Sequence, residues 1–162
     1  MLLWDYEMRE VRPLIDALSP RQCFALSVRA IRHVLAFDRG VLGEVNPATA
    51  DFVRRSLELA DEAVAAGRST IGEPDGYLEE IGELLEDDTT DSAGPLIMAL
   101  LNLYGEVDTE PVHALETLSS TYEVVLARQR IEVVTPETER QHTALVQVIA
   151  EQKELVRSAS AT

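Results

Sequence analysis

Apolar residues recur at intervals of three and four along most of the chain, which is the spacing of helices that bury one face. Three dipeptides, Ser19-Pro20, Asn46-Pro47 and Thr135-Pro136, each place a capping side chain before a proline suited to the first helical turn. Only residues 131–134 have the composition of a strand, and one strand would have nothing to pair with. The pattern therefore predicts an all-α fold, a single compact bundle of about seven helices.

The predicted helices begin and end at these signals and at changes in the apolar pattern. They cover residues 4–18, 20–35, 47–66, 75–86, 95–104, 111–126 and 136–156. Pro13 should kink or split the first helix, and Gly67 suits the left-handed conformation that ends the third. The fifth helix is apolar almost all round and should lie at the centre of the bundle. We expect one domain, residues 1–157, and a frayed tail at 158–162.

The acidic residues are distributed unevenly. Between Arg68 and Arg128, 59 residues contain 14 Asp and Glu but neither Lys nor Arg. Residues 1–68 hold 10 acids and 9 bases, whereas residues 69–162 hold 19 acids and 5 bases, so the second part carries most of the net charge of −15. An acidic field repels phosphate, which argues against nucleic acid or an anionic membrane as a partner. A basic protein partner, a metal ion or solubility alone would account for the asymmetry.

The chain carries few signs of catalysis or of a cofactor. Its single cysteine, Cys23, lies in an apolar stripe and excludes an internal disulfide. His33, His113 and His142 lie on three different predicted helices, and no glycine-rich phosphate loop occurs. We therefore expect no cofactor and no metal. The first residues do not have the pattern of a leader, and no apolar run approaches the roughly 20 residues that span a bilayer, so we expect a cytoplasmic protein.

The fourth predicted helix is strongly amphipathic, with Leu78, Ile81, Leu84 and Leu85 on its inner, apolar side and Glu79, Glu80, Glu83 and Glu86 on its polar side. Glu80 and Glu83 are three positions apart and could ligate a hard divalent cation together. Their spacing resembles the first metal-binding motif of the MazG-like all-α nucleotide pyrophosphohydrolases, and this resemblance implies a metal-dependent hydrolase. That family also has a Glu-x-x-Asp pair on the following helix, whereas the following helix here contains no acid. The metal-dependent enzyme is therefore an alternative function.

Three segments, residues 18–26, 29–35 and 52–60, resemble an all-helical bacterial group. This group comprises the immunity proteins of polymorphic-toxin systems and a similar helical family of unknown function. The resemblance, combined with the charge, implies a non-enzymatic acidic binding protein. Such a protein would neutralise a basic, nuclease-like toxin by occluding its active-site cleft. No functional residue follows from the resemblance itself.

The candidate contact surface follows from the charge pattern. It consists of the carboxylates of the fourth predicted helix and the turn after it: Glu79, Glu80, Glu83, Glu86, Asp87, Asp88 and Asp91. A third possible function is a structural or regulatory oligomer. In that case an apolar face of the fifth or seventh predicted helix would form the seam of a homodimer.

Overall fold

Ten α-helices make up the fold, and the computed structural model describes all 162 residues. The helices are α1 (Leu3–Glu7), α2 (Arg12–Asp16), α3 (Pro20–Phe37), α4 (Val41–Glu44), α5 (Pro47–Ala65), α6 (Tyr77–Asp87), α7 (Ala93–Leu101), α8 (Pro111–Gln129), α9 (Pro136–Arg140) and α10 (Thr143–Ser160). A 3-10 turn at Met8–Glu10 lies between α1 and α2. No helix combines the length and the apolar character needed to cross a bilayer. The predicted all-α class is confirmed, whereas the predicted number of about seven helices is too low.

The additional helices arise where predicted helices are interrupted. The first predicted helix is split into α1 and α2 around the 3-10 turn, and Pro13 lies in the first turn of α2. The loop predicted between the second and third helices contains the short helix α4. The last predicted helix is divided at Gln141 and His142, because the backbone of His142 is extended. The break at Gln141 and His142 occupies only two residues, so apolar periodicity alone does not locate it.

The predicted helix starts at Pro20 and Pro136 are confirmed, but the start at Pro47 is capped differently. Ser19 and Thr135 each accept a hydrogen bond from the backbone of the third helical residue. The Asn46 side chain makes no such bond. Asp88 instead takes the part of the third-residue side chain of a capping box, because its carboxylate accepts from the Asn46 backbone N–H at 2.9 Å. A cap from a distant residue cannot be recognised in the local sequence.

Forty-one buried apolar residues form one continuous core. At its centre α3 packs against α8, with α7 and α10 beside them. The prediction that the 95–104 helix is central agrees with α7, in which Leu96, Ile97, Ala99 and Leu100 are fully buried. The predicted frayed tail is shorter than expected, because α10 continues to Ser160 and Ala159 is buried. Helix α6 packs on α7 and lies at the surface.

A buried polar network fastens the N-terminal segment to the bundle. Trp4 Nε1 donates to Gln152 Oε1 at 2.7 Å, and Gln152 Nε2 donates to the Leu118 carbonyl at 3.0 Å. Glu139, which is fully buried, accepts from the Leu3 backbone N–H at 3.0 Å and from the Tyr122 hydroxyl at 2.6 Å. These bonds satisfy the polar groups that the core encloses, so they fix the position of α1 on α8, α9 and α10.

Candidate interaction surface

Helix α6 presents three different faces. Its inner face carries Tyr77, Ile81 and Leu84, which are all buried. Because each residue advances by about 100° around the axis, the outer face divides into two stripes. One stripe is acidic and contains Glu79, Glu83, Glu86 and Asp87; the other contains Leu78, Gly82 and Leu85. Both stripes are exposed to solvent.

Five of the seven predicted contact carboxylates are exposed and unpaired. They are Glu79, Glu83, Glu86, Asp87 and Asp91, and we call them the α6 acidic surface. None of them lies within ion-pair distance of a basic side chain. Their charges are therefore not neutralised within the molecule. The bases of the C-terminal part act elsewhere: Arg128 pairs with Asp38, and Lys153 pairs with Glu7 and Glu10.

Glu80 differs from the other carboxylates of α6 because a basic residue of α5 pairs with it. Arg55 Nη1 donates to Glu80 Oε1 at 3.1 Å, its Nη2 contacts the other carboxylate oxygen, and its Nε donates to Asp51 at 2.9 Å. The hydrogen bonds to Glu80 and Asp51 raise the pKa of Arg55. Arg55, which lies outside the stretch without lysine and arginine, thus neutralises one carboxylate of that stretch. Glu80 stabilises the contact between α5 and α6 and is not a free contact residue.

Asp88 is also removed from the predicted contact surface, since it is 6% exposed. Its carboxylate accepts from Thr49 Oγ1 at 2.7 Å, from Thr90 Oγ1 at 2.6 Å and from the backbone N–H groups of Asn46 and Thr90. Burial by itself would raise the pKa of Asp88, but these four hydrogen bonds outweigh it, and the pKa is lowered. Asp88 therefore serves as a structural anchor that joins the end of α6 to the start of α5.

The acidic surface extends beyond α6, to residues that sequence reasoning did not select. The Gly105 backbone N–H donates to the Gly72 carbonyl at 3.0 Å, and this pairing joins the loop before α6 to the loop after α7. Burial raises the pKa of Tyr104, and the negative charges of Glu73, Glu79 and Glu106 raise it further. These three carboxylates therefore lie close enough to Tyr104 for their charges to act on its hydroxyl. Only the pairing of the two loops brings them together, and no local sequence signal indicates it.

The apolar stripe of α6 was also missed, because Leu78 and Leu85 were assigned to the inner face. Their side chains are 47% and 43% exposed. Gly82 lies between them, and a Cβ atom added there would meet nothing within 4 Å. A glycine inside a helix costs roughly 1 kcal/mol relative to alanine, and no internal contact requires one here. A glycine between two exposed leucines allows another backbone to approach the helix closely.

The residues needed for the metal-dependent alternative are not brought together. Glu80 is engaged by Arg55, and α7, which packs on α6, contributes no acid. No group of three or more His, Cys, Asp or Glu side chains is arranged to hold a metal ion. Burial raises the pKa of Cys23 to about 11, so its thiol is protonated at neutral pH and is a poor nucleophile.

The histidines and the proposed dimer seams have ordinary surroundings. His33 Nε2 lies 3.1 Å from Glu151 Oε2, His113 Nδ1 accepts from the Glu110 backbone at 2.9 Å, and His142 Nδ1 lies 2.9 Å from the Thr138 carbonyl. Among the large apolar side chains, only Met98 is exposed in α7 and only Val146 in α10. Neither helix therefore has a broad exposed apolar face of the kind predicted for a homodimer.

No protein-family model, curated protein or solved structure matches this chain.

Proposed function

We propose that this protein is a non-enzymatic binding protein that captures a basic protein through α6. It would act in the manner of an immunity protein, covering the cleft of a basic, nuclease-like toxin. The single observation that carries the proposal is the α6 acidic surface: five exposed carboxylates without a neutralising base, beside an exposed apolar stripe.

The unpaired charge supports a basic partner. Carboxylates that repel one another destabilise the folded state, and no basic side chain of the molecule lies within ion-pair distance of these five. A partner rich in Arg and Lys would remove that repulsion when it binds. The same field would accelerate the encounter, because opposite charges steer two proteins together before contact. A basic partner would therefore explain why these carboxylates have no ion-pair partner within the molecule.

The apolar stripe would supply binding affinity that charge alone does not. Charged groups at the rim of an interface set the rate and specificity of association, whereas buried apolar anchors supply most of the affinity. Leu78 and Leu85 are exposed one above the other on α6, with Gly82 between them. We expect a partner segment to lie against Gly82 and to bury both leucines. The neighbouring carboxylates would then pair with bases on either side of that segment.

Occlusion requires no chemistry from this chain. A nuclease binds phosphate in a basic cleft, and a surface of carboxylates can occupy that cleft in place of the nucleic acid. Glu79, Glu83, Glu86 and Asp87 would contact the basic residues of the cleft directly. Inhibition would then be competitive with nucleic acid and would weaken as salt concentration rises.

The test compares two variants of equal charge. In the α6 variant, Glu79, Glu83, Glu86 and Asp87 are changed to Lys; in the control variant, four exposed and unpaired acids elsewhere, Glu58, Glu62, Glu132 and Glu137, are changed to Lys. Each protein is immobilised and incubated with lysate of the source cells. We expect a basic protein to be retained by the wild type and the control variant and to be lost from the α6 variant.

The retained protein is then purified and tested for toxicity. The proposal predicts that its expression alone arrests growth, and that co-expression of the wild type, but not of the α6 variant, restores growth. If the control variant loses the partner as completely as the α6 variant, the net charge and not α6 is responsible, and the proposal fails. Retention by the α6 variant would also contradict it.

A further inference from the structure

A second feature of the surface has the opposite charge. A cavity of about 230 Å³ lies where the first turns of α3 meet the ends of α5 and α10. Its charged lining consists of Arg21, Arg29 and Arg68, and its apolar lining includes Leu26 and Val64. No Asp or Glu side chain lines it. In a chain with a net charge of −15, a cavity lined by three arginines and by no acidic side chain is unexpected.

None of the three guanidinium groups has a partner. No carboxylate, including that of Thr162, lies within ion-pair distance of Arg21, Arg29 or Arg68. Arg32, which also lies on α3, does have a partner, Asp61. Guanidinium groups remain charged at every physiological pH, so these three exposed arginines give the cavity a positive charge that no ion pair within the molecule offsets.

Local backbone geometry holds one of these groups in place. Gly67 has a φ of +70°, which ends α5 in the left-handed conformation. A Cβ at this position would overlap Nη2 of Arg21, so the absence of a side chain makes room for the guanidinium. The ends of α5 and α10 carry partial negative charge that favours nearby cations, but that effect does not account for Arg29, which lies in the middle of α3.

The acidic surface does not cancel this charge. The start of α6 lies beside the middle of α5, where the Tyr77 hydroxyl donates to Ser56 Oγ at 3.0 Å. The eleven residues from Ser56 to Gly67 correspond to a distance of about 16 Å along the axis of α5. This distance is about twice the screening length of roughly 8 Å at physiological ionic strength. The cavity can therefore attract an anion although the whole protein is acidic.

We propose that the cavity bounded by Arg21, Arg29 and Arg68 binds a phosphate-bearing anion, with a diphosphate group as the best fit. Guanidinium groups recognise phosphate oxygens with paired, charge-assisted hydrogen bonds, and three of them suit an anion with several negative charges. The volume is below the roughly 300 to 1,000 Å³ of pockets that enclose larger organic ligands, so a compact anionic group fits it better. The diphosphate is either free in solution or the end of a nucleotide.

The test is isothermal titration calorimetry with inorganic diphosphate at constant ionic strength. We expect saturable binding to the wild type and at least a tenfold loss of affinity in Arg21→Gln, Arg29→Gln and Arg68→Gln. Arg54→Gln is the matched control, because Arg54 is an exposed, unpaired arginine on α5 that does not line the cavity. Its affinity should equal that of the wild type. Tighter binding of a nucleoside diphosphate would identify a nucleotide as the source, and equal binding would indicate the free anion.

Three results would overturn the proposal: no saturable binding, equal losses in Arg54→Gln, or variants that melt at lower temperature without any change in their response to diphosphate. The last result would mean that the arginines only stabilise the helix ends. The α6 variant separates this proposal from the proposed function, since it should lose the basic partner but bind diphosphate as the wild type does. The proposal for the cavity and the proposal for the α6 acidic surface can therefore fail independently of each other.

Discussion

The buried network around Glu139 and the exposed surface of α6 use the same carboxylate group in opposite ways. Glu139 is fully buried, and its two oxygens accept hydrogen bonds from Leu3 and Tyr122. Glu79, Glu83 and Glu86 are exposed and accept no hydrogen bond from another side chain. A carboxylate in the first setting holds the fold together, whereas one in the second contributes repulsion and is available to a partner.

The contrast is sharpest between two neighbouring residues. Asp88 is buried and accepts four hydrogen bonds, while Asp87 is exposed and unpaired. Asp87 is the last residue of α6, whereas Asp88 follows the helix with an extended backbone and bonds to residues at the start of α5. An acidic run in a sequence can therefore contain both structural and functional carboxylates, and only their partners distinguish them.

The largest effect should come from the buried network. Glu139→Ala leaves the Leu3 N–H and the Tyr122 hydroxyl without acceptors in the core. Each unsatisfied buried donor costs about 1–3 kcal/mol, so we expect the free energy of unfolding to fall by roughly 2–6 kcal/mol. Urea unfolding measures this loss. Glu137→Ala, on the exposed side of α9, is the control and should change stability by less than about 0.5 kcal/mol. Equal effects would show that the network is not what fastens the N-terminal segment.

A smaller loss, about 1–3 kcal/mol, is expected for Asp88→Ala, which removes the cap of α5. The pKa of Asp88 is lowered in the folded protein, so its ionised form stabilises folding above the unfolded pKa of about 3.9. That contribution is lost as the pH falls through the lowered pKa. The stability difference between wild type and variant should therefore shrink below about pH 4, as urea unfolding at several pH values would reveal. Asp87→Ala should leave the free energy of unfolding nearly unchanged. A loss of stability as large as that of Asp88→Ala would contradict the distinction between the two carboxylates.

Gly82→Ala should stabilise the protein by about 0.5–1 kcal/mol, because alanine favours the helix and its methyl group meets nothing. If a partner approaches α6 closely, the same change should weaken partner binding. Thermal melting and titration of the purified partner measure the two effects. Gly43→Ala, at another glycine whose Cβ would meet nothing, is a control that should leave binding unchanged. Stabilisation with no loss of affinity would contradict close approach at Gly82.

The smallest effect on stability should come from the α6 variant with four lysines. Its four original carboxylates have no partners, so their replacement breaks no ion pair, and the four lysines, which repel one another as the carboxylates did, are attracted to the remaining acids. We expect a change of less than about 1 kcal/mol by urea unfolding. Arg55→Gln is a useful contrast, because it removes the ion pairs with Glu80 and Asp51. A large loss of stability in the lysine variant would place these carboxylates among the structural ones.

The sequence predicted the parts of the fold that depend on local patterns. Prolines after capping residues located the starts of α3, α5 and α9, and apolar periodicity identified α7 as a buried helix. The division of the last helix at His142 and the short helix α4 have no comparable local signal. Both follow from how the chain packs, which periodicity does not describe.

The candidate surface was predictable only in part for the same reason. Helical spacing placed Glu79, Glu83 and Glu86 on one outer face. The pairing of Glu80 with Arg55 and the capping role of Asp88 depend on α5, which is distant along the chain. The arginines of the cavity come from α3 and from the segment after α5, so no motif in the sequence unites them.

The central claim is that a basic protein binds to the α6 acidic surface and not to negative charge in general. The most direct test is calorimetric titration of the retained partner with wild type, the α6 variant and the control variant, each at low and moderate salt. We predict that the control variant keeps the wild-type affinity, that the α6 variant binds at least a hundredfold more weakly, and that salt weakens the wild-type complex. Equal affinities for the two lysine variants would contradict the account.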